Sequence, residues 1–353
     1  MRKMVVRIHR WGGLLFGGWL MLQVLSGVTL LYKPQVMSML YPEPEVYDGS
    51  FSLERMLDQL TRAYPVYRLT RLAYPSEDNA HYVASLRHGV TGEGLKAVYR
   101  PRDGRFVPLT GMAKLPDGLF DFHDHILMAG SGRNLVGLLG GFLALWSLSG
   151  IYLWWPGYQK RPFTINLKGS RRLMFYDLHR VFGVLLSLFL IVLAVSGMLM
   201  IYRVAVMDLL NINGKRPVAD EPITAMVCNR MARLDDFMGC LGSQLPHDGM
   251  KDLRFNQSVT EATALYYAPD VIRPKAVTKV RIDLAGPKLL SVESVKSEGP
   301  GEAFMNWMYP VHTGQVLGPV RFVTMIILGA GLMLISFFGV WLWWTKRNSK
   351  KGN

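Results

Sequence analysis

The chain has 353 residues, half of them hydrophobic, and its 40 Lys and Arg against 26 Asp and Glu give a net charge of +14. A surplus of that size raises the question of nucleic acid, but the placement of the cations argues against it. Fourteen cations, with Asp177 as the one acid among them, fall in three short segments: 2–10, 160–180 and 346–351. Elsewhere basic and acidic residues balance, so the excess marks one face of a membrane and not a nucleic-acid partner.

Residues 1–33 hold a basic N-terminus and a first apolar span near 11–32. That run is long for a signal peptide and no small-residue cleavage site follows it, so it reads as a retained anchor. Residues 34–122 are a long loop. A helix is expected over 53–64, N-capped by Ser52, then strands at RLTRLAYP, HYVASLRH, LKAVYRP and RFVPL, with Asp103-Gly104 as a hairpin turn. Residues 123–157 carry His123 and a second span near 134–155; 158–177 are a basic loop; 178–203 are the third span. Residues 204–311 form the second long loop, with a helix expected over about 222–238 and strands at DLRFNQ, TALYYA, KVRIDL and LLSVESV, the last after a turn at Gly286. Residues 312–345 carry His312 and the fourth span, and 346–353 are a basic tail. Each span has about 20 or more largely uncharged residues, enough for a membrane helix. The positive-inside rule places the basic segments and both termini in the cytoplasm and both long loops outside.

The chain repeats. HRWGGLLFGGWLMLQVLSGVTLLYK aligns without a gap on HRVFGVLLSLFLIVLAVSGMLMIYR at an offset of 170, pairing His9 with His179. The second and fourth spans align at an offset of 189, pairing His123 with His312, Gly140 with Gly329 and Gly150 with Gly339. The predicted fold is therefore a membrane protein of four transmembrane α-helices, arranged as two parallel pseudo-symmetric repeats, with two outer α+β domains. Its axis lies along the membrane normal, so His9 faces His179 at the cytoplasmic end and His123 faces His312 at the outer end. A lone histidine at a helix end is most often an interfacial side chain. Two symmetric pairs fit the axial ligands of two haem irons held between facing helices. With no C-x-x-C-H attachment site, the haems are non-covalent and b-type.

Gly13 and Gly183 lie one turn after their histidines, where they leave room for a flat macrocycle or allow close helix packing. Arg10 and Arg180 follow the histidines directly and suit haem propionates, besides marking the cytoplasmic face. Ser26 and Ser196 lie deeper and can hydrogen-bond across helices. His125, His81, His88 and His247 have no symmetric partner. Cys228 and Cys240 share an oxidising compartment and read as a disulfide, the alternative being two buried thiols.

The quoted motifs, with SGIYLWWP closing the second span, resemble the PepSY-associated transmembrane family over nearly the whole chain. Within that family the likeness is to inner-membrane ferric-siderophore reductases of Gram-negative bacteria. The resemblance implies four helices, two haems on His9, His179, His123 and His312, and two PepSY-like periplasmic domains. It also implies release of iron from a ferric siderophore such as ferrioxamine. No flavin or nicotinamide motif is present, so the electron donor is expected to be a quinol or a separate cytoplasmic reductase. Two other readings stay open: a haem-free, membrane-anchored PepSY binding or inhibitory module, and a siderophore permease. Tyr64, Tyr67, Arg68, Tyr266 and Tyr267 are candidate contacts for a bulky chelate, or ordinary packing residues.

Overall fold

The computed structural model describes residues 1–41, 52–76, 81–100, 104–128, 130–156, 160–212, 226–245, 249–267, 273, 276–295 and 298–348. The chain divides into two compact units, one of Met1–Leu31, Asp117–Val206 and Trp307–Asn353, the other of Tyr32–Pro116 and Met207–Asn306.

The first unit is a helix bundle. Its long members are α1 (Arg2–Leu30), α5 (Gly132–Trp154), α6 (Arg171–Ile201) and α10 (Arg321–Asn348). All four lie in segments long and apolar enough to cross a membrane. At 1.5 Å per residue even α5 reaches about 34 Å, more than a hydrocarbon core of about 30 Å. Shorter helices α4 (Leu115–His125) and α9 (Pro300–His312) precede α5 and α10 in the chain, and α2 (Lys33–Leu40) and α7 (Arg203–Leu209) follow α1 and α6. Helix α5 packs along α6, and α10 packs against both α1 and α6. Small residues permit this close approach: a Cβ on Gly329 would come within 2.7 Å of Val28, and one on Gly331 within 2.7 Å of Leu186. Leu20, Leu143, Ala144, Leu190, Ala194 and Leu332 form the buried layer at mid-bundle. Leu15, Leu145, Leu188 and Ile327 point outward and exposed, as lipid-facing side chains do.

The spans run longer than hydropathy suggests. Helices α1 and α6 start at Arg2 and Arg171, so His9 and His179 lie inside them. Ser170 caps α6 by accepting from Leu173 N.

The second unit is built on one eight-stranded antiparallel sheet, ordered β4-β3-β2-β1-β5-β6-β7-β8. The first long loop supplies β1 (Tyr67–Ala73), β2 (Val83–His88), β3 (Gly94–Arg100) and β4 (Arg105–Pro108); the second supplies β5 (Met250–Phe255), β6 (Glu261–Tyr267), β7 (Val277–Asp283) and β8 (Lys288–Glu293). The two loops were expected to fold as separate domains; instead they share this sheet. Each contributes a four-stranded meander, and the meanders join where β1 pairs with β5, Leu72 opposite Leu253. At the seam the fully buried Asp252 is neutralised by Arg71 (2.7 Å) and Arg254 (3.0 Å).

Helices α3 (Leu53–Ala63) and α8 (Leu234–Gln244) pack on the sheet and on each other. Their N-termini exchange caps. Asp235 accepts from Ser52 Oγ and from the Leu53 and Glu54 amides, while Glu54 accepts from Leu234 N at 2.7 Å. Ser52 also accepts from Arg55 N, as its N-cap position requires. The helix expected over 222–238 is corrected: a 3₁₀ turn covers Met226–Arg230 and α8 begins only at Leu234. The exchanged cap fixes that start, and Cys228, joined to Cys240 by a disulfide, holds the 3₁₀ turn against α8. Residues 222–225, Asp103 and His247 lie outside the described residues.

Candidate functional site: two histidine pairs in the bundle

The bundle brings the four repeat histidines together in two pairs, at two levels. His9 on α1 faces His179 on α6 with ring centres 6.3 Å apart and planes at 72°. His123, near the end of α4, faces His312, at the end of α9, with ring centres 6.1 Å apart and planes at 58°. His123 lies against Gly27, 18 residues after His9 in α1. That places the levels roughly 27 Å apart along the helix. His123 and His312 are not loose surface residues before their spans: α4 and α9 tuck them against α1 and α6.

Hydrogen bonds settle which ring nitrogen carries the proton. Nδ1 of His179 meets the Ile335 carbonyl at 3.0 Å, that of His123 the Gln23 carbonyl at 3.1 Å, and that of His312 the Leu193 carbonyl at 2.9 Å. A carbonyl can only accept, so each Nδ1 carries the proton. His9 Nδ1 meets Ser149 Oγ at 2.9 Å, and that hydroxyl gives its own proton to the Trp146 carbonyl, so His9 donates too. Nε2 is then a lone-pair donor on all four rings. A ring N–H held by a carbonyl, with the other nitrogen left for a metal, is the usual outer-shell arrangement of ligating histidine.

Serine and glycine shape the seats. Ser26 Oγ and Ser196 Oγ stand 3.0 and 3.2 Å from Nδ1 of His123 and His312. A Cβ on Gly27 or Gly197 would come within 2.9 Å of Cε1 of the same two rings. On Gly150 or Gly339 it would come within 3.2 or 3.3 Å of Cε1 of His9 and His179. Ser26 thus serves His123, not the His9 of its own sequence motif.

The spacing fits one metal ion per pair. Two imidazole nitrogens on opposite sides of an ion, each about 2.0 Å from it, put the ring centres roughly 6 Å apart. Among the described residues no cluster of three or more His, Cys, Asp or Glu could hold a metal. Each pair therefore offers two ligands, and any ion between them needs its remaining ligands from a non-protein group. An iron porphyrin, with four equatorial nitrogens, meets that requirement.

A cavity of about 640 Å³, within the range of cofactor pockets, surrounds the His9–His179 pair and is lined by His9, Gly13, Trp146, His179, Gly183 and Gly339 among others. The two glycines expected to leave room for a macrocycle differ. Gly183 has nothing within 4 Å of its missing Cβ, whereas at Gly13 the Trp146 indole fills the space at 2.9 Å. The two arginines differ as well, and the sequence did not distinguish them. Arg180 pairs with Asp177 at 2.9 Å and donates to the Thr164 carbonyl. Arg10 lines the same cavity, its guanidinium 5.7 Å from the centre of the Trp11 ring.

The other histidines lie elsewhere. His125 faces Asp121 and Asp124. His88 accepts from the amides of Val90 and Thr91 in a turn, and His81 is buried beside Tyr41. Tyr266 is buried in the sheet core and cannot meet a chelate there. Gln23, Trp146 and Ser149 were not foreseen as histidine partners. The third Ser-Gly pair, Ser149-Gly150, was the available signal, since it matches Ser26-Gly27 and Ser196-Gly197.

No curated protein matches the chain. The family model for the PepSY-associated TM region matches residues 6–346, so this multi-pass membrane protein, with its four apolar helices and separate antiparallel sheet, belongs to the PepSY-associated TM family.

Proposed function

We propose that this protein is a di-haem electron carrier of the bacterial inner membrane that reduces a periplasmic ferric siderophore and so releases Fe²⁺ for uptake. The observation that carries the reading is the pair of facing imidazoles at each of two levels, each ring held by a hydrogen bond at Nδ1 and both pairs at the spacing one metal ion spans. A b-type haem, when bound, supplies a one-electron iron couple. His9 and His179 would hold one group, with Arg10 available to a propionate. His123 and His312 would hold the other, oriented by Ser26, Ser196 and the carbonyls of Gln23 and Leu193. The bundle chain is read as two copies of one unit, a duplication supported by the matching Ser, Gly and His contacts in both halves.

The basic segments favour a cytoplasmic location for both termini and for the His9–His179 level. The His123–His312 level then lies toward the periplasm. One electron enters from a quinol or a cytoplasmic reductase and leaves to the ferric chelate, whose Fe³⁺ becomes Fe²⁺ and loosens from its hard oxygen ligands.

The test is a pyridine-haemochrome count followed by reaction. Two haems per chain are expected, one lost in His179→Ala and the other in His312→Ala. Dithionite-reduced protein should reoxidise on mixing with a ferric hydroxamate, with Fe²⁺ trapped by ferrozine, and His312→Ala should abolish that reaction. A colourless wild type refutes the reading in favour of a haem-free PepSY module; two haems without reoxidation refute the substrate alone.

A further inference from the structure

The four histidines are not held alike. His123 and His312 each meet a main-chain carbonyl and a serine hydroxyl at Nδ1, His179 meets a carbonyl alone, and His9 meets the Ser149 hydroxyl alone, which donates in turn to the Trp146 carbonyl at 2.5 Å. Trp146 then returns a bond, its Nε1–H donating to the His9 carbonyl at 2.9 Å. The indole lies over the His9 ring, centres 5.2 Å apart and planes at 27°. Gly12 and Gly13 make the seat for that indole: a Cβ on either would come within 3.3 or 2.9 Å of it.

Nothing in the second half can repeat this. The positions aligned with Gly12, Trp146 and Ser149 are Phe182, Ile335 and Phe338. There the indole is gone, Phe182 points outward, and the His179 Nδ1 meets the Ile335 carbonyl where His9 meets a hydroxyl.

We propose that Trp146 and Ser149 are positioning residues that clamp His9 and hold its ring plane across that of His179, giving the inner pair two unlike ligands. This rests on the haem reading above. The stacked indole and its N–H bond together fix ring rotation. The hydroxyl, polarised by its own bond to the carbonyl, sets how strongly His9 donates to a metal. Axial ring planes held crossed give a low-spin ferric centre a more anisotropic electron paramagnetic resonance signal than planes held parallel. Loss of an acceptor at Nδ1 makes a histidine a poorer electron donor, which raises the potential of the iron it holds.

The experiment uses full-length purified protein: wild type, Ser149→Ala, Trp146→Phe and Trp146→Leu. Each is measured by haem count, by resonance of the oxidised form and by redox titration. The inner signal is the one absent from His179→Ala. Ser149→Ala should keep both haems and move the inner potential upward. Trp146→Leu should shift the inner resonance toward lower anisotropy, with Trp146→Phe between it and wild type, and outer features should stay fixed in all three. The clamp is refuted if two haems are present and the inner signal and potential match wild type in both Ser149→Ala and Trp146→Leu. If Trp146→Leu loses the inner haem, Ser149→Ala decides, because so small a truncation leaves the packing intact. A wild type lacking haem refutes the cofactor reading and the clamp with it.

Discussion

Gly197 is the position where a single methyl group should cost the most. Its missing Cβ would stand 2.9 Å from Cε1 of His312, and Gly27 stands in the same relation to His123. An ordinary carbon contact begins at about 3.4 Å, so Gly197→Ala forces the ring back by about 0.5 Å. The ring cannot rotate freely to escape, because its Nδ1 is held by the Leu193 carbonyl and Ser196. Overpacking of this kind costs about 1–3 kcal/mol, and about 0.5 Å is the tolerance of a preorganised ligand set. Gly239→Ala, in α8 of the sheet unit, is the control: nothing lies within 4 Å of that Cβ, and a mid-helix Gly-to-Ala change by itself gains up to about 1 kcal/mol. The assay is the haem count of purified Gly27→Ala, Gly197→Ala and Gly239→Ala, with thermal unfolding of each. The first two should lose or weaken the outer haem and keep the inner; the third should keep both. Two haems with an unchanged outer spectrum in Gly197→Ala would show that the glycine seat does not position the ligand.

Other consequences lie in the sheet unit. Cys228→Ser with Cys240→Ser opens a disulfide spanning 12 residues, which should lower the sheet's stability by about 3 kcal/mol; denaturant titration with and without reductant should give matching losses. Burial raises the hydroxyl pKa values of Tyr266 and Tyr74 above the ordinary value. Their contribution to stability is therefore complete below about pH 10, where an unfolded tyrosine titrates, and is lost as pH rises through the raised values. Phenolate absorbance should appear together with unfolding of the sheet, and a Tyr266 phenolate forming in the folded state would contradict this. Asp235→Ala removes the acceptor for Ser52 Oγ and two amides at the start of α3. About 1–2 kcal/mol should be lost, with faster hydrogen exchange at Leu53 and Glu54, and unchanged exchange there would refute the cap.

Much of this was legible because local patterns repeat. The strands of the first loop fall within a residue or two of the alternating runs that foretold them, and Ser52 caps as its sequence context implied. The histidine pairing came from two gapless alignments, which report geometry without needing any contact to be seen. What was hidden depends on long-range contact. That β1 pairs with β5 is invisible in either loop, since each meander alone reads as a complete small domain. The late start of α8 depends on Glu54, some 180 residues away. Gly13 and Gly183 look equivalent in the alignment, and only the residue on the facing helix, Trp146, separates them.

The seam between β1 and β5 also dictates an order of events during synthesis. Once the first meander leaves the ribosome, β1 is an open sheet edge, and its partner lies nearly 180 residues downstream. At about 5–20 residues per second, the wait is roughly 10–35 s. In that interval two membrane helices, α5 and α6, must be inserted before β5 is made. Unpaired edges recruit other chains, and Arg68 and Arg71 on β1 are the charges that discourage this. Asp235 is also missing during the wait, so α3 lacks most of its cap. A nascent chain stalled before residue 250 therefore carries half a sheet with its sticky side uncovered. Such chains should be the ones most prone to aggregate, because one fold has been divided between two loops with membrane helices made in between.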